Sequence, residues 1–138
     1  MAAMRRIVLV SHGELAQGMM NSLEMIAGKQ PHVTAIGAYM QGSPDVTKTL
    51  LSMASKLGDG DELVIVTDLL GGSVNNEAAQ LRTLPNVFVV SGMNLGLVLS
   101  LALSGEKDTV AAIKESIKGA RRQLVWMDPS DIETDEEF

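Results

Sequence analysis

The sequence predicts an α/β protein whose parallel sheet is covered by helices on both faces. Three observations carry this. Short β-branched runs alternate with longer segments whose apolar residues recur at helical spacing. One run, residues 63–67, reads Leu-Val-Ile-Val-Thr without polar alternation, as a strand covered on both faces requires. The apolar fraction is 46% with only 3% aromatic residues, a mix of Leu, Val, Ile, Ala and nine Met. Such a mix suits helices packed on a parallel sheet better than a β-sandwich.

The first strand is expected over residues 6–10. A helix follows with Leu15, Met19, Leu23 and Ile26 on one face and Gly28 as its stop. The second strand covers about residues 33–39. In the next helix Ser43 is the expected cap, with Pro44 in the first turn, and Val46, Leu50, Met53, Ala54 and Leu57 form the inner face. After the third strand, Gly71-Gly72-Ser73 turns into a helix that must stop before Pro85. Residues 87–90 form the fourth strand, and Asn94 caps a helix over residues 95–103. Asp108 caps the last helix, with Val110, Ile113, Ile117 and Ala120 inward. Residues 124–127 are expected as a short fifth strand, antiparallel because so few residues separate it from that helix.

The length of 138 residues suits one domain, expected over residues 1–127. Six of the 17 acidic residues, Asp128, Asp131, Glu133, Asp135, Glu136 and Glu137, follow Met127, so the other 11 acids balance the 11 bases. Residues 128–138 therefore carry the whole net charge of −6 and have the composition of a disordered acidic tail. No basic tract suggests nucleic acid. Cysteine is absent, which excludes disulfides and thiolate metal sites and is compatible with the cytoplasm. Arg5-Arg6 before residues 7–10 mimics a signal peptide, but Ser11-His12-Gly13 ends the apolar run too early. Residues 95–103 are far too few to span a membrane.

In parallel sheets ligands sit at the carboxyl ends of strands. Strand one ends there in Ser11-His12-Gly13, strand three in Asp68, and strand four in Ser91-Gly92-Met93-Asn94. These junctions share one rim if strands one, three and four are neighbours. A neutral imidazole at His12 is a nucleophile or base near pH 7, and Gly13 lets the chain turn and leaves the ring accessible. A carboxylate directly after a buried strand is costly unless paired, so Asp68 is expected to hydrogen-bond His12 and fix its tautomer, or to cap the following turn. Gly71 and Gly72, with Gly13 beside the histidine, are expected to offer a phosphate their backbone N–H groups, and Ser73 can cap the helix or donate to a phosphate oxygen. A glycine pair is also simply a tight turn, and neither a P-loop lysine nor dinucleotide spacing accompanies it. His32 has no second histidine in register, so neither a metal site nor a cofactor is expected.

Taken together, I-V-L-V-S-H-G at 7–13, V-T-D-L-L-G-G-S at 66–73 and S-G-M-N-L at 91–95 resemble the mannose-family enzyme IIA domain of the bacterial phosphoenolpyruvate:sugar phosphotransferase system. The resemblance covers about residues 4–127, with the motifs in the same order and at matching spacing. It implies a sheet of order 2-1-3-4 and a homodimer that exchanges its last, antiparallel strand. The family histidine falls on His12, the carboxylate that orients it on Asp68, and the supporting hydroxyl on Ser73. It further implies that the phosphocarrier protein HPr phosphorylates His12, which passes the group to an enzyme IIB partner. A membrane permease then couples the transfer to sugar uptake. Leu70, Val74 and Gly96 depart from the family's frequent Trp, Pro and Pro, which bears on partner and sugar specificity.

Other readings make different demands. The dihydroxyacetone-kinase phosphotransfer subunit shares the fold and the histidine but typically has Ser where Gly13 stands. Histidine phosphatases need Arg at the position of Ser11 and a second catalytic histidine late in the chain, yet none follows His32. A non-catalytic phosphate-binding module would use the glycine turn and keep His12 only as a ligand contact.

Overall fold

The computed structural model describes residues 3–131. Four strands, β1 (Arg5–His12), β2 (Val33–Ala38), β3 (Glu62–Thr67) and β4 (Val87–Ser91), form one parallel sheet in the order β2-β1-β3-β4. Five helices connect and cover them: α1 (Leu15–Ala27), α2 (Val46–Ser55), α3 (Ser73–Ala79), α4 (Leu95–Leu103) and α5 (Thr109–Arg122).

The sheet separates two apolar layers. On one face Ile7, Leu9, Val64 and Val66 pack against Leu23 of α1 and Leu97 and Leu101 of α4, with Ile113 and Ile117 of α5 against that layer. On the other, Val8, Val10, Leu63 and Ile65 meet Leu50 of α2 and Val74 and Ala78 of α3. Adjacent residues of β1 and β3 thus point to opposite covered faces, which is why these strands read as continuous apolar runs.

Several helix details differ from expectation. In α1 the buried residues are Ala16 and Leu23, with Met19, Met20 and Ala27 beside them, while Leu15 and Ile26 are exposed. The inward stripe is therefore rotated; the N-cap position, Glu14, makes no side-chain cap, and Ser11 Oγ, on buried β1, accepts the Ala16 N–H of the first turn at 2.7 Å and ties that turn to the sheet. Helix α2 begins at Val46, and its cap is Asp45, which accepts from Lys48 N at 2.9 Å, rather than Ser43. Ser43 Oγ instead accepts from Met40 N in the preceding turn, and Pro44 lies outside the helix. The apolar face expected for α2 is observed, with Val46 and Leu50 buried and Met53, Ala54 and Leu57 against them. Asn94 and Asp108 cap α4 and α5 as expected. Val110 is exposed, and Thr109, Ala112 and Ser116 are the buried residues of α5. Helix α3 gives way to a 3-10 turn over Gln80–Thr83 before Pro85.

Residues 124–127 form no strand in the single chain, and all four side chains are exposed. Of the acidic segment expected over residues 128–138, residues 132–138 lie outside the described residues; the part before them contains an exposed 3-10 turn, Pro129–Asp131. No helix among the described residues is long and apolar enough to cross a membrane.

The register places the strand ends together. Val10 of β1 pairs with Thr67 of β3, and His12 with Ala38 of β2. One glycine makes the close approach possible. A Cβ on Gly37 of β2 would collide with the Gly13 carbonyl oxygen and the Met40 methyl. The Gly37→Ala substitution should therefore push β2 away from the His12–Gly13 turn and cost about 1–3 kcal/mol of stability. Urea unfolding measures this, and an unchanged midpoint would mean that the strand end yields freely.

Candidate functional site

His12 is the last residue of β1, and the chain leaves it through Gly13, whose φ of 55° lies in the left-handed region. The turn throws the imidazole outward: its side chain is 47% exposed, although Ser11 before it is fully buried.

Asp68 immediately follows β3, the neighbour of β1, and its side chain is only 10% exposed. Its Oδ2 accepts two hydrogen bonds from His12, one from the backbone N–H at 2.8 Å and one from ring Nδ1 at 2.7 Å. Its Oδ1 accepts from the Leu69 N–H at 2.8 Å. Burial by itself opposes the charge on Asp68, but the His12 backbone N–H, the imidazole and the Leu69 N–H outweigh it. The carboxyl is held below its ordinary pKa. An ionised carboxylate only accepts, so Nδ1 must carry the ring proton and Nε2 is left with the lone pair in the neutral ring.

Ser73 opens α3 and faces that lone pair. Its Oγ is 3.2 Å from His12 Nε2 and, with Nε2 an acceptor, the hydroxyl is the donor. Tyr39, one residue beyond β2, donates its phenolic O–H to Ser73 Oγ at 2.9 Å. The site is thus a directed series: Tyr39 to Ser73, Ser73 to Nε2, and Nδ1 to Asp68.

The glycine turn serves by shape more than by its amides. Gly71 has φ 79° and donates its N–H to Asn75 Oδ1 at 3.1 Å. Gly72 N–H donates to Leu69 O at 3.0 Å, and Gly13 N–H to Ala38 O at 2.9 Å. The amides of Gly13, Gly71 and Gly72, expected as phosphate donors, all have acceptors within the chain. What Gly72 contributes is space: a Cβ there would press to 3.2 Å on Leu69 O and touch the edge of the His12 ring at 3.7 Å. Asn75, nearly buried, braces the turn by also donating to Thr67 Oγ1 at 2.9 Å.

The structure therefore brings His12, Asp68 and Ser73 together. It leaves His32 elsewhere, bonded through Nε2 to Ala102 O. Sequence reasoning missed Tyr39, Asn75 and Gly37. Only Asn75 carried a local signal, as a polar residue inside the first turn after a glycine pair. No group of three or more His, Cys, Asp or Glu side chains suited to a metal occurs among the described residues. A lone pair on an exposed, oriented imidazole with a hydroxyl beside it is an arrangement for nucleophilic attack.

The sequence profile of the EIIA-man family, described as the fructose IIA component of the phosphotransferase system (PTS), matches residues 6–118. The sorbose-specific EIIA component of Klebsiella pneumoniae is 32% identical over 136 residues, covering 95% of this chain and 97% of that protein. A sorbose-specific EIIA component of Lacticaseibacillus casei is 29% identical, covering 78% of each chain. The crystal structure of the EIIA component from Streptococcus agalactiae superposes with a TM-score of 0.77 at 28% identity, covering 88% of this chain and 96% of that one. The chain therefore belongs to the mannose/sorbose family of PTS EIIA phosphotransferase components, proteins of sugar transport.

Proposed function

We propose that His12 is the phosphoryl carrier of this component, taking the group from phospho-HPr and passing it to an enzyme IIB partner, with sugar uptake through a membrane permease as the outcome. One observation supports a carrier above all others: the nucleophilic Nε2 belongs to a half-exposed ring on an apolar surface. Tyr39 lies beside the ring, Leu15 opens the helix that follows it, and Leu69 and Leu70 follow Asp68; they are 60%, 49%, 65% and 80% exposed. An enzyme acting on a small molecule encloses it in a cleft. A histidine raised among exposed apolar side chains suits a protein partner that brings its own phosphohistidine to it.

In this reading the Nε2 lone pair attacks phosphorus and forms a new N–P bond. The N–P bond of the donor breaks, and its electron pair returns to the donor imidazole. The product ring keeps its proton on Nδ1 and becomes cationic, and the Asp68 carboxylate at 2.7 Å offsets that charge. Ser73 O–H turns from Nε2 to a phosphoryl oxygen. Transfer to enzyme IIB is the reverse at a new acceptor, and the protonated Nδ1 makes the ring a better leaving group. His12→Ala should fold and accept no phosphoryl group from phosphoenolpyruvate, enzyme I and HPr, whereas the wild-type adduct should be acid-labile, as a phosphoramidate is. Intact mass before and after acid treatment checks both, and an acid-stable adduct would move the carrier to a serine.

Asp68→Asn replaces an obligate acceptor with a side chain that can present N–H to Nδ1, favouring the tautomer whose proton blocks Nε2. Transfer should slow by about 10²–10⁴-fold, by analogy with other carboxylate–histidine pairs. A rapid-quench rate near wild type would reduce Asp68 to a turn residue. Acid titration adds a second signature. Because folding lowers the Asp68 pKa, its stabilising contribution is complete above the unfolded value, about 4, and is lost as pH falls through the lower folded value. The Asn variant should lack that part of the acid loss of stability in urea melts taken between pH 5 and 2.

We further propose that the chain is a homodimer in which residues 124–127 pair, as an antiparallel strand, with β4 of the partner subunit. In support, β4 is an outer strand with an unpaired edge. A groove of about 650 Å³ lies between it and α5, lined by Val89, Val90, Ile113, Ile117 and Ala120. Leu124, Val125, Trp126 and Met127 follow directly and are exposed. An exposed edge and an exposed apolar segment of the same chain are both liabilities that mutual pairing removes. The domain then comprises residues 1–127, and the acidic residues 128–138 are dispensable. Deleting residues 124–138 should give monomers or aggregates by light scattering, while deleting 131–138 alone should leave the dimer and the transfer rate unchanged. A stable dimer from the first deletion would exclude the exchange.

A further inference from the structure

Tyr39 stands at the far end of the hydrogen-bond series and has no part in the transfer described above. Its φ of 62° lies in the left-handed region, where a bulky residue is an outlier. Such conformations persist when the surroundings over-determine them. Here the backbone is tied on both sides. Ala38 O accepts the Gly13 N–H at 2.9 Å, and Met40 N–H donates to Ser43 Oγ at 2.7 Å. The phenol is thereby turned across the strand ends: its ring centroid lies 5.2 Å from that of His12, with the planes tilted by 51°.

Proton counting gives this placement a consequence. Ser73 has one hydroxyl proton and two neighbours that could take it, His12 Nε2 and Tyr39 Oη. Tyr39 also has one proton, with Ser73 Oγ at 2.9 Å and Glu77 Oε2 at 3.4 Å. The longer contact is at the weak limit of hydrogen bonding. Glu77 is also engaged through its other oxygen, which lies 3.4 Å from Thr47 Oγ1. The phenolic proton therefore goes to Ser73 Oγ, and the Ser73 proton is left for Nε2.

We propose that Tyr39 is a positioning residue: its phenol fixes the direction of the Ser73 hydroxyl, toward Nε2 at rest and toward the phosphoryl oxygen once the N–P bond has formed. This rests on the carrier reading of His12. No proton leaves Tyr39 or Ser73 during transfer. The Nε2 electron pair makes the N–P bond, the donor nitrogen recovers its own pair, and only the Ser73 O–H rotates. The phenol keeps the Ser73 oxygen occupied as an acceptor, so the donor is already aimed where charge arrives.

The test is Tyr39→Phe, which keeps the ring and removes only Oη. In rapid-quench phosphorylation by phospho-HPr the limiting rate should fall about 3–10-fold, the size of one ordinary hydrogen bond. KM for phospho-HPr and the melting temperature should stay at wild-type values. In a Ser73→Ala background the same change should cost less than about twofold, since coupled residues are non-additive. A wild-type limiting rate, a raised KM alone, or an undiminished loss in the Ser73→Ala background would each overturn the proposal. A readout independent of transfer is the ¹⁵N spectrum of His12 in the unphosphorylated protein. Ser73 is exposed, so in Tyr39→Phe water replaces the phenol and competes for the Ser73 proton; Nε2 should move toward a free acceptor while Nδ1 stays protonated, and an unmoved Nε2 resonance would also overturn it. If wild-type protein takes no phosphoryl group while Nε2 shifts as expected, the carrier reading fails and the Tyr39–Ser73 ordering stands.

Discussion

A single carboxylate oxygen, Asp68 Oδ2, receives both the backbone N–H and the ring N–H of His12, and the site depends on that double contact. The backbone bond holds the end of β1 against the end of β3. The ring bond selects the tautomer. Because one atom does both, the orientation of the imidazole is referenced to the sheet and not to a loose side chain. The low pKa of Asp68 is the electrostatic record of this arrangement, since three N–H donors overcome the burial that would otherwise neutralise it.

Around that oxygen the structure resolves a conflict between rigidity and exposure. In the proposed role the histidine must reach a partner protein, yet its reacting nitrogen must point in a fixed direction. Burial is spent just behind the ring: Ser11 is fully buried and accepts a first-turn N–H of α1, while Gly13 turns the chain away at once. Gly37 lets β2 close on the Gly13 carbonyl, where a Cβ would collide, and Gly72 leaves room beside Leu69 O and the edge of the imidazole. Asn75 ties the glycine turn to the end of β3. The imidazole stands on this frame, half exposed and oriented at both nitrogens.

The opposite edge of the sheet raises a different physical problem. Outer strand β4 and the groove beside α5 leave apolar surface uncovered in the single chain, and so do residues 124–127. Ser91 Oγ, at the end of β4 beside this groove, is buried without a hydrogen-bond partner. Deficits of two kinds at one edge, apolar and polar, mark the place where a single chain is least self-sufficient.

The sequence by itself indicated the four strands and five helices, though not the absence of a strand at residues 124–127 in the single chain, and it singled out His12, Asp68 and Ser73, which the structure brings together. Period and capping are local properties, and each of these residues follows directly on a run whose burial the pattern reveals. It misjudged Ser43 as a cap and the inward face of α1, because neighbouring polar residues compete for the same role and only packing chooses among them. It expected glycine amides free for phosphate, but hydrogen-bond occupancy depends on where the next turn folds. Tyr39 was beyond its reach for the same reason. Its partner Ser73 is 34 residues away, and only the parallel registers of β2 and of β3 on β1 bring the two to one imidazole. Local chemistry pointed to the candidate nucleophile; the direction of every proton around it was decided by contacts between strand ends that are distant along the chain.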